Sequence, residues 1–409
     1  MKFILSVIDS GPLSMRARRE LSGAETRGYI SGATVLGALA AAHAEHRDDP
    51  AEFNAFFGPD SRFGNLYPAD FDRADLYEDV ESPVLPLPAT AVSCKRFSGF
   101  RYDQDAEEDP HHGVHDTALA ETLFALSGGT RLKLLDGLGR CADPSGCREP
   151  TDRFDGFYRR RKEAVGRTQA SRGLRTRAGI SRLTGAVEGG ILYSREVLNA
   201  GTAYWGVADV PKAWARKFEE FVGEFSEAGL LRFGNNRTRG FGRARVEANR
   251  PDEDEGETVK SLLARMAEFD RRLRAQAKAA GVAADHDLYV TITLTSEAIL
   301  LDRLLRYQTR IDGEYLDAVW GIGGAHLLFQ SGGTRRVMGW NGVLGVPKGD
   351  ELAVTMGSVF VFGLDRPLDE GMAARFLALQ EGGIDVRKRE GFGQLVVASP
   401  FHYEMRGQL

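Results

Sequence analysis

The stretch NNRTRGFGRARVE at 235–247 and the stretch DVRKREGFGQLVV at 385–397 follow one design: cations, then Gly-Phe-Gly, then a strand-forming run. Each stands behind a helical pattern. PKAWARKFEEFVGEFSEAG starts on a proline, places Trp214, Phe218, Phe221, Val222 and Phe225 three and four apart, and stops at Gly229. PLDEGMAARFLALQEGG repeats the proline start ahead of the second copy. A chain that twice spells helix, glycine loop, strand is constrained to build a small two-layer α+β unit two times over.

The beginnings of the two halves agree with this. KFILSVID reads as a strand and YISGATVLGALAAAHAEH as a helix, which is the first half of a βαββαβ unit. LYVTITL and VTMGSVFVFGL supply strands to the second half. The expected fold is therefore α+β, with two tandem ferredoxin-like (RRM-like, βαββαβ) domains. Residues 1–250 form the first, carrying a loop-rich insertion at about 50–150. Residues 251–285 hold the acidic PDEDEGE linker and a long charged helix expected to bridge the domains. Residues 286–409 form the second.

A chain of 409 residues that is 42% hydrophobic can fill two cores. Its net charge of −5 argues against a simple nucleic-acid-coating protein, but the charge is segregated, with DQDAEEDP at 103–110 and PDEDEGE at 251–257 acidic and the arginines elsewhere. The opening apolar run is too short for a secretion signal and no long apolar segment follows, so a soluble cytoplasmic protein is expected.

Three regions read as anion sites. Glycines at positive φ let consecutive amides face a phosphate, and the two loops offer Arg237, Arg239, Gly240, Phe241, Gly242 and Arg243, then Arg387, Lys388, Arg389, Gly391, Phe392 and Gly393. The tract from Arg159 to Arg182 holds Arg159, Arg160, Arg161, Lys162, Arg172, Arg175, Arg177 and Arg182 against one acid, Glu163. It runs into a hairpin pattern around a glycine-rich turn and is expected to lie along a nucleic-acid strand as a β-hairpin thumb. Arg27, Ser31, Gly32 and Thr34 open the first helix, whose free amides suit either an anion or ordinary capping. Phe157, Tyr158, Trp205 and Phe241 are candidates for base stacking.

Chemistry beyond binding has weak signals. Cys141 and Cys147, with Cys94, His111, His112 and His115 upstream, are either zinc ligands or a thiol pair without metal, since their spacing is wider than that of a zinc knuckle. No hydrolase, metalloprotease or P-loop motif is present. His43, closing the first helix, is the alternative general acid or base for RNA cleavage, while the leading expectation is a protein without catalysis and without a required cofactor.

The segments GPLSM, YISGATVLGALAAAH, TRAGISRLTGAVEGGILYSREVL, RTRGFGRARV and KREGFGQLVV resemble the RAMP superfamily of CRISPR-associated proteins. SCKRF, DGFYRR, GWNGVLGVPKGDELAVTMGSVFVF and EGFGQLVVASPFHYE are similar to the double-RAMP subunit of type III-D effector complexes. The resemblance implies a subunit that grips the 5′ repeat-derived handle of the crRNA and contacts the large polymerase-like subunit and the first backbone subunit. It also implies that both glycine loops line the RNA path, and that target RNA is met only indirectly. The alternative within the family is an endoribonuclease that processes precursor crRNA.

Overall fold

The computed structural model describes residues 1–15, 25–69, 83–101, 111–129, 139–141, 143, 145–161, 164–180, 183–184, 186–251, 256–341, 345–384 and 386–405. Two antiparallel sheets carry the duplication. In the first, Ala244–Asn249, Lys2–Asp9, Ala203–Asp209 and a broken edge of Arg62–Phe63 and Tyr67–Pro68 lie side by side in that order. In the second, the order is Ala325–Ser331, Val359–Leu364, Leu288–Leu294, Leu395–Val397. Counted along each βαββαβ unit, both sheets run 4-1-3-2, the ferredoxin-like arrangement expected from sequence. Among the described residues no helix is long and apolar enough to cross a membrane.

Alternation makes the first sheet one-sided. In Lys2–Asp9 the residues Phe3, Leu5 and Val7 are buried against the helices Gly32–His46 and Ala215–Glu227, whose Leu39, Phe218, Phe221 and Phe225 complete the core. The central strand of the second sheet is instead buried along its whole length, LYVTITL. Val290 and Ile292 meet the helix Glu370–Gly382 on one face, while Tyr289 meets the helices Ala118–Leu126 and Val259–Ala280 on the other.

Two sequence expectations change here. Residues 62–68, read as insertion, are the edge of the first sheet, because Phe63 and Tyr67 are apolar enough to be buried there. The helix Val259–Ala280, expected to bridge the domains, lays Leu262, Met266, Phe269 and Leu273 on the second module. Among the described residues, the remaining insertion contributes two three-stranded sheets, one built from Ala91–Cys94, Val114–Asp116 and Thr151–Arg153, the other from Leu85–Pro86, Phe157–Arg161 and Ala164–Thr168. His402, fully buried, ties it to the second module by accepting or donating at Asp116 (3.1 Å) and Thr293 (2.7 Å).

Candidate nucleic-acid interface

The two glycine loops are superposable in their hydrogen bonding. Asn236 and Arg387 both sit in the left-handed region, a single 3-10 turn follows, and Gly240 and Gly391 return at φ +83° and +86°. The carbonyl of Gly242 then accepts from Phe233 at 2.8 Å, as that of Gly393 accepts from Ile384 at 2.8 Å. The amide of Gly242 donates to Pro12 at 3.1 Å, as that of Gly393 donates to Glu297 at 2.8 Å. Glycine is required because a Cβ on Gly242 stands 2.4 Å from the Phe233 carbonyl, and one on Gly393 stands 1.9 Å from that of Ile384. Those two amides are thus committed to the fold and do not face an anion.

Surroundings divide the copies. The second loop is wedged into the first module: a Cβ on Gly391 would come within 2.7 Å of the Phe63 carbonyl, and one on Gly32 within 2.6 Å of the Glu390 carbonyl. Glu390 is buried between Lys348 (2.7 Å) and Arg387 (2.6 Å), and Arg387 also reaches Glu351. Burial works against the Glu390 carboxylate, but Arg387 and Lys348 outweigh it and hold the group below its ordinary value. Arg389 donates to the carbonyl of Phe57 at 3.2 Å, and Lys388 stands over Trp320. Arg389, Glu390 and Gly391 therefore build an interdomain joint, while Arg387, Phe392 and Gly393 are held within the second module, which corrects the expectation that this copy lines an RNA path. The same contact closes the start of the first helix. The Gly32 amide is taken by Asn65 (2.9 Å), and Ser31 bonds Thr34 through their hydroxyls (2.9 Å). Arg27 lies nearby over Tyr29, whose hydroxyl donates to Glu297 across the joint at 2.8 Å. Burial first, and the Glu297 carboxylate second, push the Tyr29 phenol well above its usual value.

The first loop is open. Arg237, Arg239, Gly240 and Arg243 are exposed, while Phe241 turns inward. Beside it rises the expected hairpin, Arg172–Ile180 paired with Val187–Leu198. Arg175 stands opposite Arg195 and Arg177 opposite Tyr193, so all four side chains share one face, the one whose Val197 is buried at the base. That face looks onto the first loop. Arg177 lies 4.6 Å from the centroid of Phe241 and donates to the Arg239 carbonyl at 3.4 Å, and Arg239 donates to the Tyr193 hydroxyl at 3.1 Å. Arg195 donates to the hydroxyl of Ser14 at 3.4 Å. Among the described residues no carboxylate pairs with Arg175, Arg177, Arg195, Arg237 or Arg239. Like charges directly opposite on two strands repel, and four guanidinium groups around one tyrosine are relieved by an anion laid across them. The far end of the hairpin is apolar and uncovered, with Ile180 and Leu183 at 67% and 99% exposure.

The rest of the predicted set is dispersed. Arg172 pairs with Glu196 at 3.4 Å, on the margin of the basic face. Arg159 is buried 3.9 Å from the Trp205 ring centroid, and Arg160 is bound to Glu404 at the end of the chain. Arg161 ends a strand of the insertion. Lys162 and Arg182 lie outside the described residues. Phe157 stacks on Tyr67 at 4.7 Å and Tyr158 packs on Phe401, so neither is free for a base. His43 is 1% exposed, enclosed by Phe53, Phe56, Phe57 and Phe221 and bonded to Glu52 at 3.1 Å. A phosphodiester has no path to it, which removes the expected candidate for RNA cleavage. Arg195 and Tyr193 were not anticipated. Their signal was the strand period, which places them on the same face as Arg175 and Arg177 once the hairpin is paired.

No known family profile matches the chain, and no curated protein does. Among solved structures it is similar to a chain of the type III-B Cmr-beta complex bound to cognate target RNA and AMPPnP, with 10% identity, coverage of 88% of this chain and 86% of that one, and a TM-score of 0.40. It is similar to a chain of the Csm3-Csm4 subcomplex of the type III-A CRISPR-Cas interference complex, with 11% identity, coverage of 89% and 94%, and a TM-score of 0.34. It is also similar to Cas6 in its product complex, with 10% identity, coverage of 97% and 100%, and a TM-score of 0.36. At such identities and scores the likeness is one of chain topology and assigns no role.

Proposed function

We propose that this chain is a non-catalytic crRNA-binding subunit of a type III CRISPR-Cas effector, of the two-module kind that belongs to type III-D complexes. In this reading it grips the 5′ repeat-derived handle and contacts the large polymerase-like subunit and the first backbone subunit. The observation that carries the RNA-binding part is the convergence of Arg175, Arg177, Arg195 and Arg239 on one hairpin face without a carboxylate among the described residues. The subtype and the handle rest on the sequence segments quoted above. Phosphates contact the guanidinium groups, and Tyr193, 37% exposed between Arg177 and Arg239, offers a ring to one base. The apolar hairpin end is left for a protein neighbour.

The test is to express the chain with its neighbouring effector subunits and a CRISPR array, then ask whether a discrete small RNA co-purifies. With Arg175, Arg177, Arg195 and Arg239 all replaced by alanine, the expected result is an assembled complex depleted of RNA. Full RNA occupancy in that variant overturns the assignment of this face. Cutting of labelled repeat RNA by the purified chain alone replaces the reading with a processing nuclease.

A further inference from the structure

The insertion that rises from the first module has a small core: Leu87, Ala91, Phe100, Val114, Phe154 and a few neighbours. Next to it, four soft ligand atoms from three separate pieces of chain come together. Cys94 ends the strand Ala91–Cys94, His112 lies in the loop before Val114, and Cys141 and Cys147 flank a turn in which Ser145 donates to the Asp143 carboxylate at 2.9 Å and Gly146 to its carbonyl at 3.0 Å. The three thiol sulfurs and one imidazole nitrogen all lie within 4.8 Å of one another, and His112 Nδ1 is 3.3 Å from the Cys141 sulfur.

We infer that Cys94, His112, Cys141 and Cys147 form a closed tetrahedral site for a structural zinc ion that staples the insertion together.

Three arguments support it. The first is size: zinc bonds of about 2.3 Å to sulfur and about 2.0 Å to nitrogen give a tetrahedron with edges of roughly 3.5–3.8 Å, within the observed span. The second is the donor set, since three thiolates and an imidazole are soft ligands and fill four positions, leaving none for a substrate. The third is that the ligands are held in place by the fold. The His112 side chain is fixed in place, because its ring stacks on Phe97 with centroids 4.3 Å apart and its amide donates to the Phe97 carbonyl at 3.0 Å. Of the six residues the sequence offered, the cluster takes Cys94, His112, Cys141 and Cys147 and leaves out His111 and His115.

Zinc content of the full chain, purified without chelator, is expected to be one ion per protein. Released zinc and newly reactive thiols should rise together on mercurial titration. Cobalt exchanged into the site should show the visible absorption of tetrahedral cobalt-thiolate. Cys147→Ser should lose the ion, whereas His111→Ala and His115→Ala should keep it, and His112→Cys should keep it with a shifted cobalt spectrum. Because Cys147→Ser is able to unfold the insertion, the wild-type measurement stands as the independent check. A wild-type chain with substoichiometric zinc and freely reactive thiols, or with a Cys141–Cys147 disulfide, overturns the inference.

Discussion

Replacing Arg175, Arg177, Arg195 and Arg239 together by alanine should change how RNA binding responds to salt, by an amount the geometry sets. The four guanidinium groups share one hairpin face with no carboxylate partner among the described residues, so each is free to displace a counterion from a phosphate. On a single strand each neutralised phosphate contributes about 0.7 to the slope of log K against log salt, so four contribute about 2.8. Between about 50 mM and about 200 mM salt that slope corresponds to a roughly 50-fold fall in affinity, present in the wild-type chain and absent in the variant. Fluorescence anisotropy with a labelled single-stranded RNA measures both slopes on the full chain, and circular dichroism checks that the variant is folded. Only a modest loss of stability is expected, because the substitutions relieve an Arg175–Arg195 repulsion while removing one cation–π contact worth about 1 kcal/mol and three exposed or half-buried hydrogen bonds, to Arg239, Tyr193 and Ser14. Equal salt slopes in the two proteins refute the reasoning, whatever happens to the absolute affinity.

Two further expectations concern the duplicated loops. At Gly240, where a Cβ has open space, alanine should cost only left-handed backbone strain of about 1 kcal/mol, whereas at Gly393 the 1.9 Å approach to the Ile384 carbonyl should raise the cost to about 3 kcal/mol or more. Denaturant midpoints of the two single variants decide it, and equal losses contradict the account of the second loop. The joint should also be acid-sensitive. With the Glu390 carboxylate held below its ordinary value, its contribution to stability is intact above the unfolded value of about 4.3 and is lost as pH falls from there through the folded value. Melting temperature followed from neutral pH downward should fall more steeply for the wild-type chain than for Glu390→Gln, and parallel curves count against the Glu390–Arg387–Lys348 cluster as its source.

The duplication was legible because glycine at a left-handed position leaves a mark that survives divergence. Gly240 and Gly391 keep the same turn, and Gly242 and Gly393 the same approach to a carbonyl. The hairpin was legible from its period, and the two-layer fold from the apolar spacing of the helices. What each loop faces was not, because burial depends on residues distant in sequence such as Phe63 and Asn65. One local clue existed: the position of Arg239 in the first loop is occupied by Glu390 in the second, and a carboxylate among three cations signals internal pairing. The basic face was half visible. Arg175, Arg177 and Arg239 stood in arginine-rich stretches, while Arg195 and Tyr193 were screened by the neighbouring Glu196. The residues of the proposed zinc site were scattered over some fifty positions, and the closing of the strand Ala91–Cys94 against Val114–Asp116 and Thr151–Arg153 brings Cys94 and His112 to the two later cysteines.

The wedge of the second glycine loop into the first module has a consequence for chain connectivity. Arg62 clasps the carbonyls of Glu381 and Gly382 at 2.9 Å, Tyr67 reaches that of Thr295, and Tyr29 meets Glu297, all across one seam. The acidic stretch at 251–257 joins the halves in sequence. Cohesion comes from side-to-side docking, so the peptide between the halves acts as a tether that sets local concentration, and a nick there leaves a two-piece particle of unchanged shape.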